Sequence, residues 1–171
     1  MSDVAETVGP PQPLRTEHDP SAFDSGEPAL DDWLRKRALG NEPSGASRTY
    51  VITAESRVVG FYCLAAGSVA QQAATGRIRR NVPEPLPVMI IGRSAIDRDF
   101  QGRGLGKALL RDAVLRTLQA AAIAGVRAIL LHAISENAKL FYVHCGFSES
   151  PLDPMMMTIS VAGAERTLSG K

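Results

Sequence analysis

The stretch RDFQGRGLGKALL, residues 98–110, sets Gly102, Gly104 and Gly106 at alternate positions and then runs into an apolar, helix-favouring segment. A glycine turn that opens a helix suits phosphate: glycines let the backbone approach closely, successive amides point into one concavity, and the helix dipole adds positive potential. Three patterns compete for this loop. A P-loop requires glycine, four residues and then Gly-Lys-Ser/Thr. Gly106 and Lys107 fit, but Gln101 and Ala108 stand where the first glycine and the magnesium-binding hydroxyl belong. A dinucleotide fingerprint opening at Gly102 requires glycine at 107, which is lysine, and no chain of βαβ units precedes it. What remains is Gln101-x-x-Gly104-x-Gly106, completed by Gly102, Arg103, Leu105 and Lys107, a loop shaped for a pyrophosphate. Arg98, Arg103 and Lys107 add screened charge. A tight turn that merely starts a helix is the alternative reading.

The other reactive side chains form no set. Cys63 and Cys145 are too few for a disulfide framework or a zinc site, and they read as reduced thiols packed as small hydrophobes. His132 sits inside an apolar strand, and both it and His144 read as structural histidines. No Ser/His/Asp arrangement, cysteine nucleophile or metal site emerges.

Stepping outward, the elements that must position the loop follow from periodicity. In PALDDWLRKRAL, Leu30, Trp33, Leu34 and Ala38 recur at helical spacing and predict an amphipathic helix over 29–39, which the polar stretch Asn41 to Ser47 ends. RTYVITA (48–54) and RVVGFYCLAAGSVA (57–70) are rich in β-branched and aromatic residues about a short polar link, and predict a hairpin. Residues 71–87, with three arginines and three prolines, form a long connection. VMIIGRSAI (88–96) is a strand buried on both faces at its start. A helix over 104–124 gathers Leu109, Leu110, Ala113, Val114, Leu118 and Ala121 on one face. A buried strand (127–134), a helix opened by Ser135 and Glu136 and closed by Gly146, and a last strand in MMMTISVA complete the order α, β, β, β, α, β, α, β. This is an α/β or α+β chain, a mixed sheet flanked by helices.

Length and composition agree with that class. The chain has 171 residues, enough for one domain with a real core, and its 44% hydrophobic and 22% charged residues are those of a soluble globular protein. We expect a flexible tail over residues 1–13, rich in proline and small residues, and one domain over 14–171. There is no apolar run long enough for a membrane and no secretory leader pattern at the N-terminus, so a cytoplasmic protein is expected. A net charge of +1 gives no global attraction to nucleic acid; any such partner must be met by a local patch.

The strand-loop-helix unit followed by a strand and a helix bearing NAKLFYVHCGF resembles the GNAT acetyltransferases over about residues 88–148. The resemblance implies a GNAT-like central mixed sheet, split between two parallel strands to admit acetyl-CoA. It implies that the loop holds the cofactor's pyrophosphate, that Ser94, Ala95 and Ile96 offer backbone groups to the pantetheine arm, and that Asn137 makes a polar contact near the split. It assigns to Tyr142 the role of acid for the leaving thiolate. A phenol near pKa 10 lies above a thiol near 8.5, so it can donate to a departing thiolate while staying un-ionised at neutral pH. With no covalent nucleophile in view, direct attack by an amine is expected. An α-amine of pKa about 7.7 is neutral in roughly one molecule in six at pH 7, whereas lysine is almost wholly protonated, so an α-amino acceptor needs no strong base.

Beyond the cofactor half, HDPSAFDSGEPALDDWLRKRAL, ASRTYVITAESRVVGFYCLAAGSV and the run through SESPLDPMMM are similar to the GNAT toxins of bacterial toxin-antitoxin pairs. That resemblance implies acetylation of the α-amine of aminoacyl-tRNA, a block to translation, a ribbon-helix-helix antitoxin through which alone DNA is bound, and a homodimer. Arg77, Arg79 and Arg80 form the densest basic cluster and are the expected tRNA contacts, with Arg93, Arg48 and Lys36 extending it. Acetylation of a protein or small-molecule amine, and a non-catalytic acetyl-CoA-binding regulatory subunit, are the competing functions.

Overall fold

In the computed structural model, residues 7–45, 47–69 and 85–169 are described. Where length led us to expect one domain, the chain divides into two compact units. One holds residues up to Leu64 with Arg93–Asp112, and the other holds Ala65–Gly92 with the chain from Ala113 onward.

The first unit is built on a hairpin. β2 (Arg48–Ala54) and β3 (Arg57–Val69) run antiparallel with Ala54 opposite Arg57, and Glu55 takes φ 57° in the tight link. Residues of β3 beyond Leu64 belong to the second unit. The segment expected as a loose tail contributes a strand instead: β1 (Gln12–Pro13) pairs with β2, and the amides of Gly9 and Leu14 donate to Thr53 and Thr49 at 3.1 and 2.9 Å. Two proline-flanked residues carry no periodicity, which is why composition reads them as tail.

α1 (Pro28–Lys36) starts with proline in its first turn, where no amide is lost, and has Arg35 and Lys36 at the end that favours cations. Its apolar face delivers Trp33 and Leu34 to a core with Phe23, Val51, Val58 and Phe61. Trp33 stacks on Phe61 at 5.9 Å between ring centroids, and Phe23 meets Phe61 edge-on at 5.5 Å. The predicted stop after residue 39 is not found. Arg37 breaks the helix, and α2 (Ala38–Ser44) follows, because the fully buried Ala38 anchors a turn that local propensity disfavours.

In the second unit, β4 (Leu86–Ile96), whose last residues from Arg93 belong to the first unit, pairs in parallel with β5 (Ala128–His132), Val88–Ile91 against Ala128–Leu131. A parallel pair needs a crossover, supplied here by α3 (Leu105–Ala124), whose residues up to Asp112 lie in the first unit. β7 (Met156–Ser160) lies antiparallel to β5, and the two-residue β6 (Ser148–Glu149) flanks β7, so the sheet is mixed. α4 (Glu136–His144) stands where predicted. The last predicted strand ends early: the Ser160 hydroxyl accepts from the Gly163 amide at 2.9 Å and caps α5 (Val161–Leu168). That serine was a helix-start signal masked by the apolar run before it.

Replacing Trp33 by alanine removes a side chain that is 7% exposed and stacked on Phe61, and leaves a cavity. The expected loss is about 3–5 kcal/mol in denaturant unfolding of Trp33→Ala.

Candidate active site

The loop of the first unit is clamped by its own polar side chains. Asp97, 5% exposed, follows β4; one carboxylate oxygen accepts from the Asp99 amide at 3.0 Å and the other from the Asp24 amide at 3.1 Å. Phe100 is buried, with the guanidinium groups of Arg57 and Arg103 over its ring at 5.2 and 4.6 Å. The Gln101 side-chain amide donates to the carbonyls of Ile96 and Ser25 at 2.9 and 3.1 Å. Arg103 donates to the Asp99 carbonyl, and Arg98 pairs with Asp24 at 3.2 Å. Gln101, Arg98 and Arg103 thus shape the loop. All three cations expected to add charge are exposed, and among the described residues Lys107 is the one without such a contact.

Gly102 and Gly104 take φ of 81° and 78°, while a Cβ on either would meet nothing within 4 Å. Glycine is therefore required by the left-handed backbone, and not by crowding. Gly106 already lies inside α3. The first α3 bond shown is the Ala108 amide to the Gly104 carbonyl at 3.1 Å, so the amides of Leu105, Gly106 and Lys107 have no carbonyl one turn back and face the helix start. Three such donors with the dipole behind them suit an anionic diphosphate. Ser94, Ala95 and Ile96 are half-buried at the end of β4, Ala95 against the core around Trp33.

The second unit carries the other predicted residues. The Ser135 hydroxyl accepts from the Ala138 amide at 3.1 Å and starts α4, with Asn137 exposed in its first turn. Tyr142 is half-buried, its ring edge-on to Phe141 and Phe147 at 5.1 and 5.7 Å. Burial, with a smaller effect of Cys145, pushes its phenol up to about 12. The group therefore keeps its proton at neutral pH and has it to donate. Lys139 on the same helix binds Glu149 at 2.5 Å, and this hydrogen bond raises its pKa.

The histidines and arginines are placed differently from expectation. His132 is the last residue of β5 and exposed, with Nε2 3.8 Å from Asp153; His144 is exposed on α4. Neither is a packed structural histidine. Cys63 is buried as expected and Cys145 is half-buried. Arg93 is exposed with its guanidinium 4.6 Å over the Trp33 ring, Arg48 is exposed at the start of β2, and Lys36 lies 4.0 Å from Asp32. Arg77, Arg79 and Arg80 lie outside the described residues. A cavity of about 820 Å³ in the second unit, bordered by Gly125, Arg127 and Ser160 among others, includes none of the predicted site residues.

A mixed sheet with a parallel pair joined through a glycine turn that opens a helix defines an α/β protein whose helix start suits an anionic phosphate. The family follows from comparison: the acetyltransferase (GNAT) domain model matches residues 45–149, and the chain belongs to the GNAT acetyltransferases. A tRNA-acetylating toxin of Mycobacterium tuberculosis is 52% identical over 160 residues, 94% of this chain and 96% of the relative. Among solved structures, AtaT complexed with acetyl-methionyl-tRNAfMet superposes with a TM-score of 0.85 at 24% identity, covering 93% of this chain and 98% of that one. A tyrosine-to-phenylalanine mutant of AtaT bound to the C-terminus of the antitoxin AtaR and acetyl-CoA gives 0.78 at 25%, covering 92% and 96%.

The raised Tyr142 phenol has a measurable consequence. Between about pH 10 and 12 the folded chain retains a proton that an ordinary phenol has released, so this contribution to stability is complete below about pH 10 and is lost as pH rises toward 12. The phenolate absorbance difference between wild type and Tyr142→Phe should appear with a midpoint near 12. A midpoint at the ordinary value would contradict the burial.

Proposed function

We propose that this protein transfers acetyl from acetyl-CoA to the α-amino group of aminoacyl-tRNA and acts as the toxin of a toxin-antitoxin pair, blocking translation. The observation that carries this reading is 52% identity, over 94% of the chain, to a tRNA-acetylating toxin. In this reading the protein works in the cytoplasm as a homodimer, is neutralised by a ribbon-helix-helix antitoxin, and reaches DNA only through that antitoxin. The two compact units then belong to one catalytic domain, since β3, β4 and α3 each have residues in both.

Within it, the amides following Gly102 and Gly104, through Lys107, hold the pyrophosphate, with Gln101 and Arg103 keeping the turn in shape. The backbone of Ser94, Ala95 and Ile96 and the side chain of Asn137 orient the pantetheine arm. Tyr142 hydrogen-bonds to the departing thiolate and gives it its proton; the phenol is neutral across the physiological range, so the proton is present. The α-amine of the aminoacyl ester attacks directly; an uncharged fraction of roughly one in six at pH 7 makes it a competent nucleophile. Arg93, together with Arg77, Arg79 and Arg80, engages tRNA phosphates.

Incubation with labelled acetyl-CoA and total charged tRNA, followed by identification of the acetylated aminoacyl end, tests the proposal. Transfer by wild type, reduced by about 10²-fold or more in Tyr142→Phe with loss of growth arrest, is expected. Acetylation of free amines with charged tRNA left untouched would overturn it. Replacing Arg77, Arg79 and Arg80 together by alanine should raise KM for every charged tRNA alike and flatten its salt dependence, leaving acetyl-CoA binding unchanged. A change confined to kcat would remove these arginines from the tRNA surface.

A further inference from the structure

The pair His132 and Asp153 has no part in the mechanism so far. His132 closes β5 one residue past the parallel ladder, whose last pair is Ile91 with Leu131. Carboxyl ends of parallel strands are where α/β sheets take their ligands. Its side chain is 57% exposed although its neighbours Leu131 and Ala133 are buried, so the position holds a polar group at the surface of an apolar strand.

Asp153 is held rigidly opposite. One of its carboxylate oxygens accepts from the Met155 amide at 2.9 Å, and its carbonyl accepts from the Met156 amide at 3.1 Å. The Ala133 amide donates to the Met155 carbonyl at 2.8 Å, and His132 pairs with Met156 across the sheet. The loop SPLDPM, distinctive in the sequence, is thereby fastened to the end of β5 with its carboxylate 3.8 Å from His132 Nε2. The carboxylate puts a negative charge beside the imidazole, at a distance too long for a hydrogen bond. Lys139 on α4 is paired with Glu149 on β6 and lies within electrostatic reach of Glu136 and Asp153.

We propose that His132 is a catalytic residue that takes the proton from the attacking amine, with Asp153 stabilising the imidazolium. This inference rests on the aminoacyl-tRNA reading above. As the nitrogen–carbon bond forms and the carbon–sulfur bond breaks, one amine proton passes to the imidazole of His132 and the Tyr142 proton passes to sulfur. The imidazolium then returns its proton to water and the phenolate takes one up, so the enzyme is restored and no proton is gained or lost beyond the transfer itself. The base is not needed to create the neutral α-amine, which is already present. It removes the proton that makes the attacking nitrogen cationic, and so commits the addition toward product.

The test is kcat/KM for labelled acetyl transfer to charged tRNA. His132→Gln should lower it at neutral pH by about 10²-fold and leave acetyl-CoA affinity by calorimetry unchanged. Added imidazole should restore part of the rate in His132→Ala and none in wild type. Asp153→Asn keeps the oxygen that accepts from Met155, so it carries the test if His132 variants misfold; it should slow transfer. Unchanged rates in folded variants and no rescue by imidazole, with wild type active, would overturn the assignment of His132 alone. No transfer to charged tRNA by wild type would overturn the substrate reading and this inference together.

Discussion

Everything proposed for the donor side depends on leaving three helix-start amides unpaired while holding them still. An unpaired amide is costly when buried and uninformative when mobile, so a binding loop needs rigid walls that do not use those donors. Here the walls are side chains. Gln101 ties the loop to Ile96 and Ser25, Asp97 ties it to Asp24 and Asp99, and Gly102 and Gly104 supply the left-handed backbone that turns the chain into α3. Arg103 packs on Phe100 rather than standing free. The segment Asp24–Ser25 explains why the N-terminal part of the chain belongs with the loop: it offers an amide and a carbonyl that the loop's side chains require.

The second unit answers a different demand. A donor to a thiolate must stay protonated, as a phenol does at neutral pH, and must be held in place. Phe141 and Phe147 pack on the Tyr142 ring, and Gly146, at φ 98°, lets the chain reverse after α4 so that Phe147 reaches the ring. The ion pair of Lys139 and Glu149 fastens the same helix to β6. Tyr142 is thereby held by packing on its ring, and among the described residues its hydroxyl has no hydrogen-bond partner, which leaves the oxygen available.

The sequence was most legible where one period dominated and least where two signals overlapped. β2 and β3 follow from β-branched and aromatic content, β5 from its apolar run, α1 and α3 from helical spacing, α4 from its Ser/Glu start and Gly stop, and the glycine loop from residue identity alone. α2 and α5 were missed for opposite reasons: a buried alanine overrode weak propensity in one, and a strand pattern concealed a serine cap in the other. β1 was invisible because two residues cannot show a period. In the site, residue type does not tell how a side chain is employed. Gln101, Arg98 and Arg103 fit a phosphate loop by type, yet their side chains engage backbone carbonyls, the Asp24 carboxylate and the Phe100 ring, contacts that no spacing rule encodes.

His132 illustrates the sharpest form of that limit. In RAILLHAI the histidine interrupts an apolar run, and by composition alone a buried histidine is the economical reading. The position of the strand's end decides otherwise. Because β5 stops at His132, the alternation that would bury its side chain is cut off there, and the turn SPLDPM brings Asp153 to it from more than twenty positions later in the chain. A carboxylate placed at such a distance in sequence cannot be paired with a histidine by motif. The same physics makes the pairing informative once seen: an exposed imidazole beside a carboxylate adds little to stability, so an aspartate whose carboxylate and carbonyl both accept from backbone amides serves better to keep a negative charge next to that imidazole than to hold the fold.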